Sequence, residues 1–142
     1  MAMTKKQKTE LLRRVELFSE VSARSLGAIA DAAVDIEYGA GQYIVRQGQV
    51  GTGFYLVAKG SVRVIRSSEV VAVLGPSEFF GELSVLDQAP RNAHVVAAEP
   101  TTCLALASWD FTRILERNPK IALSVLRVMA RRLRAAVDHP RH

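Results

Sequence analysis

One cysteine, three histidines and 6% aromatic residues among 142 leave several classes of protein without their raw material. Cys103 has no second thiol with which to form an internal disulfide or a C-x-x-C pair, so a disulfide scaffold, a zinc ribbon and a thioredoxin-type site are excluded. Flanked by Thr102 and Leu104 in an apolar strand, it reads as an inert core thiol. His139 and His142 fall in a C-terminal tail, which leaves His94 too solitary for a metal triad or an acid–base pair, and an enzyme is not expected. No apolar run approaches the ~18 residues of a membrane span, and none follows the charges at the start. A cytoplasmic domain without membrane insertion is therefore expected. No G-K-[ST] follows a glycine loop, and Gly39-Ala-Gly41 and Gly51-Thr-Gly53 lack the third glycine of a dinucleotide fingerprint, so both read as turns.

What is present suits one globular domain over 1–142, with 49% hydrophobic and 23% charged residues and enough length to bury roughly two-thirds of the unfolded surface. The net charge of +5 is unevenly placed. The segments Met1 to Glu16 and Arg113 to His142 hold 13 of the 19 basic and four of the 14 acidic residues, which leaves the middle at −4. A DNA-reading surface would place its cations in the middle, so the basic ends read as solvated helix faces and no nucleic acid is expected to bind this domain alone.

Eight of the nine glycines lie between Gly39 and Gly81, which divides the chain into N-terminal helices (1–38), a turn-rich β region (39–107) and C-terminal helices (108–138). Leu11, Leu12, Val15 and Phe18 recur at helical spacing, and Ser22 caps a second helix carrying Leu26, Ile29, Ala30 and Ala33. Strands are expected at Tyr43–Arg46, Gly53–Lys59, Ser61–Arg66, Val70–Leu74, His94–Ala98 and Thr102–Leu106. The fold class is α+β: a jelly-roll-like antiparallel β-roll flanked by helices. Ser108 can cap one closing helix and Asn118, before Pro119, another that runs to about Val137. Spaced at 100°, Ala122, Val125, Leu126, Met129, Leu133 and Ala136 form an apolar stripe, with Lys120, Arg127, Arg131 and Arg134 opposite as a solvated face. Arg132 stands at the stripe's edge beside Ile121, Val125 and Val128, so its guanidinium should lie near whatever the stripe covers.

The segment Phe79 to His94 breaks the strand rhythm. Gly81 permits close backbone approach, Glu82 to Leu86 can form a helical turn whose N–H groups face an anion, and Arg91 supplies a planar fork suited to phosphate. A carboxylate beside such a site is useful if it accepts a hydrogen bond from a sugar hydroxyl. A structural Glu82–Arg91 ion pair explains the same residues.

Phe80-Gly-Glu-Leu-Ser-Val with Pro90-Arg-Asn-Ala93 resembles the phosphate-binding cassette of the cyclic nucleotide-binding domain family, whose pattern is approximately F-G-E-[LM]-[AS]-L followed by P-R-x-A. The upstream stretches Gly41-Gln-Tyr-Ile-Val-Arg-Gln-Gly48 and Tyr55-Leu-Val-Ala-Lys-Gly60-Ser-Val are similar too, and the resemblance covers about Leu17 to Val137. It implies a cassette at 80–93 in which Arg91 pairs with the cyclic phosphate, Glu82 holds the ribose 2′-hydroxyl, and N–H groups near Gly81, Leu83 and Ser84 complete the cradle, with Asn92 and Ala93 adjoining. Val64 and Val71 match positions that wall the base, or else belong to the core. Arg132 matches a base-capping position, or else is a surface arginine. Asn92 departs from the usual Ala, Ser or Thr, which bears on cAMP against cGMP, and His94 replaces a common Thr or aromatic, reading as a partly exposed strand histidine.

The reading is a non-enzymatic sensor for a cyclic purine mononucleotide, cAMP first and cGMP second, closed by the last helix through contacts formed mainly in the bound state. The expected partners are an effector domain or a second copy joined through that helix. Arg91→Ala and Glu82→Ala are expected to weaken binding and leave the fold intact. Two rivals are a fragment of a catabolite-activator-like transcription regulator, which needs a helix-turn-helix after the last helix, and an interaction module with a degenerate pocket.

Overall fold

A computed structural model describes residues 2–50, 53–81 and 91–138. The chain opens with α1 (Lys5–Arg13), a single 3-10 turn (Glu16–Phe18) and α2 (Ala23–Ala32). Thr4 and Gln7 close a reciprocal capping box on α1, with Gln7 N–H donating to Thr4 Oγ1 at 3.1 Å and Thr4 N–H to Gln7 Oε1 at 2.9 Å, which satisfies two orphan donors at once. Ser22 caps α2 as expected, accepting from Ser25 N–H at 3.2 Å. Leu11, Leu12, Val15 and Phe18 are all buried, but the helix stops at Arg13, and the 3-10 turn presents Leu17 and Phe18 instead.

Among the described residues eight strands follow: β1 (Val34–Tyr38), β2 (Tyr43–Val45), β3 (Gly53–Lys59), β4 (Val62–Arg66), β5 (Glu69–Leu74), β6 (Phe79–Phe80), β7 (His94–Ala97) and β8 (Thr101–Ala107). They form two antiparallel sheets, ordered β1-β8-β3-β6 and β2-β7-β4-β5. The N-terminal helical region therefore ends at Ala32 and not at 38. Val34, Ile36 and Tyr38 alternate with Asp35 and Glu37, a period-2 pattern that β8 selects by pairing from Val34↔Ala105 to Tyr38↔Thr101.

Alternation along β3 and β8 divides the core. Phe54, Leu56, Leu104 and Leu106 face the helices and join Phe18, Leu26 and Phe111. Val57 and Cys103 face the other way, between the sheets, with Val62, Phe80 and Val95. The β4–β5 hairpin turns on Ser67 and Ser68, both left-handed at φ 51° and 67°.

The chain ends in α3 (Ser108–Arg117) and α4 (Pro119–Asp138). Of the two expected caps, only Asn118 holds the position read for it, directly before Pro119, the first residue of α4. Ser108 is already helical, with Ala107 at the cap position and no side-chain bond. Asn118 Nδ2 donates back to the Ile114 carbonyl of α3 at 2.8 Å, while its own carbonyl accepts from Ile121 and Ala122. On α4 the buried face is Ile121, Ser124, Val125 and Val128, whereas Leu126 and Leu133 of the expected stripe are exposed. The opposite face is not merely solvated. Arg127 pairs with Glu20 at 2.8 Å and Arg131 with Glu16, tying α4 to the 3-10 turn and to the segment that follows it.

Candidate ligand-binding site

The site is built around Arg91, just ahead of β7. Its main chain is fixed first: its N–H donates to Gln49 O at 2.7 Å, and its carbonyl accepts from Gly48 N–H at 2.8 Å. Its side chain is 6% exposed. Removing a guanidinium from water costs several kcal/mol unless dipoles replace the lost hydration. Here two carbonyls do so, Nη2 donating to Gly53 O at 2.7 Å and Nη1 to Gly81 O at 3.0 Å. Arg91 thereby joins the start of β3 to the chain leaving β6. Gly81 is the residue this geometry requires: its φ is +93°, and a Cβ there would lie 2.6 Å from Nη1 and 2.9 Å from Gly53 O.

A cleft of about 330 Å³ opens beside this arginine. Of the residues expected to form a site, Gly81, Arg91, Asn92, Ala93, Val64 and Arg132 line it together. Glu82, Leu83 and Ser84 lie outside the described residues. Val71 is not among the lining: the β4–β5 register slips so that Val64 faces Ala72 and Ile65 faces Val70, and the bulge leaves Val71 with no cross-strand partner on β4. Phe79 and Phe80 supply an aromatic wall. Arg132 reaches in from α4, its Cζ 4.5 Å from the centroid of the Phe79 ring, a cation–π distance. Phe79 is tilted against Phe54 at 5.6 Å, and Phe54 stacks on Phe111 of α3 at 5.1 Å and 4°.

Arg66 also lines the cleft, and sequence reasoning passed over it. The signal was the period of β4: Val62 and Val64 point inward, and the next position on that face is Arg66. Among the described residues the lining holds three arginines and no carboxylate. His94 lies at the edge of this region, half-buried, its Nδ1 accepting from Gln47 N–H at 3.0 Å and its ring edge-on to Tyr43. Burial pushes the Cys103 thiol up to about 12 and, with Tyr55 and Cys103 nearby, the Tyr38 hydroxyl to about 12 as well, so neither is an active nucleophile near neutral pH. Among the described residues no group of His, Cys, Asp and Glu could hold a metal, and no helix is long and apolar enough to cross a membrane.

A two-sheet roll with helices at both ends and a cleft beside a buried arginine and a left-handed glycine defines a class of β-roll domain. The family model described as cyclic nucleotide-binding domain matches residues 35–118, and the chain belongs to that family. It is 42% identical over 104 residues to the cyclic AMP receptor protein of Thermus thermophilus, covering 70% of this chain and 48% of the relative. It is 30% identical over 135 residues to a CRP-like cAMP-activated global transcriptional regulator of Mycobacterium tuberculosis, covering 88% and 58%. The crystal structure of the Thermus thermophilus catabolite activator protein superposes with a TM-score of 0.80 at 36% identity, over 85% of this chain and 59% of that one. The chain thus spans about half the length of the curated relatives it matches.

Proposed function

We propose that the chain is a regulatory, non-catalytic sensor that binds a cyclic purine mononucleotide, cAMP in preference to cGMP, in the cleft beside Arg91. The observation that carries this is the Arg91 guanidinium, buried yet lining an open cleft, with Gly81, Asn92 and Ala93 beside it and Arg132 over Phe79. A planar, permanently charged fork suits a cyclic phosphodiester, which bears one negative charge spread over two exocyclic oxygens. Arg91 holds the phosphate, N–H groups near Gly81, Leu83 and Ser84 complete the cradle, and Glu82 accepts from the ribose 2′-hydroxyl. Val64 walls the base and Arg132 covers it. Val71 has no part in this arrangement. The names of the two curated relatives, a cyclic AMP receptor and a cAMP-activated regulator, support the choice of cAMP.

Binding acts on the fold only through contacts better made in one state than another. Arg132 is the group suited to this, since a purine inserted between it and Phe79 exchanges one cation–π contact for two stacked faces. Titration calorimetry with cAMP and cGMP tests the reading: saturable binding is expected, tighter for cAMP, and no heat with either nucleotide would end it.

A second reading, the sensor half of a catabolite-activator-like transcription regulator, is favoured by the match to about half of two such relatives. In that setting a second copy pairs through α4, whose exposed Leu123, Leu126, Leu133 and Val137 await a partner.

A further inference from the structure

We infer that Arg66 is a second cation of the binding cleft, one that meets the anionic group of the ligand at the mouth while Arg91 holds it from within; this rests on the nucleotide-binding reading above. The inward face of β4 runs Val62, Val64, Arg66 from fully buried to half-buried to exposed, a gradient from core to mouth that ends in a charge where the strand pattern calls for an apolar residue. Glu69 lies directly across the hairpin in register and is the natural partner for a cross-strand ion pair. No such pair forms. Arg66 Nε instead donates to the carbonyl of Asn92 at 3.3 Å, which turns the side chain to the residue after Arg91 and into the cleft lining.

That one bond uses one of five N–H donors, and among the described residues no carboxylate lies within ion-pair distance of Arg66. A guanidinium on the mouth of a low-dielectric cleft attracts an anion over about a Debye length, ~8–10 Å at ordinary salt, and then offers it a charge-assisted bond. The ligand class is accordingly a phosphate ester whose charged oxygens reach the opening, not a neutral nucleoside.

The test is cAMP affinity by calorimetry at about 0.05 and 0.5 M salt for the wild type, Arg66→Gln and Arg63→Gln. Arg63 removes the same charge from the outer face of the same strand. We expect Arg66→Gln to bind about tenfold more weakly at low salt, with a flatter salt dependence and an unchanged melting temperature, and Arg63→Gln to match the wild type. Affinity of Arg66→Gln within about twofold of wild type, or an equal loss in Arg63→Gln, overturns the role of Arg66 and leaves the nucleotide reading standing. A wild type that binds neither cAMP nor cGMP overturns both.

Discussion

Arg91 has two tasks that the residue alone does not reveal. Seen in sequence it is a ligand group, and its removal is expected to spare the fold. In the structure its two bonds to Gly53 O and Gly81 O make it a clasp between β3 and β6 as well. Arg91→Ala is expected to abolish cAMP binding and to lower stability by about 2–4 kcal/mol, because two carbonyls lose a charged donor and a cavity opens. Urea unfolding followed by circular dichroism measures the second effect, and an unchanged midpoint would show that the clasp contributes nothing. Gly81 is bound to the same geometry, since any Cβ there collides with Nη1.

Among the elements, the β4–β5 hairpin carries the clearest local strain. Two serines sit in left-handed conformations of the kind a type I′ turn requires and that Asn-Gly adopts far more readily. Ser67→Asn with Ser68→Gly is expected to raise stability by about 1 kcal/mol and the melting temperature by a few degrees; a scanning calorimetry trace with no upward shift would count against the turn assignment. The strands that were legible in sequence are those whose β-branched residues lie between turn signals: β3 spans Gly53–Lys59 as read, and β7 and β8 flank the Glu99-Pro100 turn. β1 was hidden because Val34 to Tyr38 continues directly from α2, and only pairing with β8 shows its period to be two. That Val71 stands outside the cleft lining was hidden for a similar reason, since a bulge is a property of two strands in register. Ser108 had the right chemistry for a cap but is taken into the first turn of α3, whereas Asn118 holds the cap position before Pro119 through its backbone carbonyl while its side-chain oxygen accepts from Ser25 Oγ at 3.4 Å. Of the site, Arg91, Gly81 and Arg132 could be read from motif and helical wheel, whereas Arg66 required knowing which face of β4 opens on the cleft.

For the whole molecule, the rotation of α4 decides what remains exposed. Burying Ile121, Val125 and Val128 and pairing Arg127 with Glu20 and Arg131 with Glu16 turns Leu123, Leu126, Ala130, Leu133 and Val137 outward. Their spacing alternates three and four, the seam of a two-stranded coiled coil, and Leu126 and Leu133 are 65% and 68% exposed. Sedimentation is expected to give a dimer at micromolar concentration and a monomer for Leu126→Glu with Leu133→Glu; a monomeric wild type would rule out pairing by this face. Within each copy, Phe54 lies against Phe79, the floor beneath Arg132, and also against Phe111, which sits in the helix from which α4 springs. The floor of the cleft and the helix that leads into α4 thus share one ring, so any displacement of Phe79 has to be accommodated by Phe54 where it stacks on Phe111.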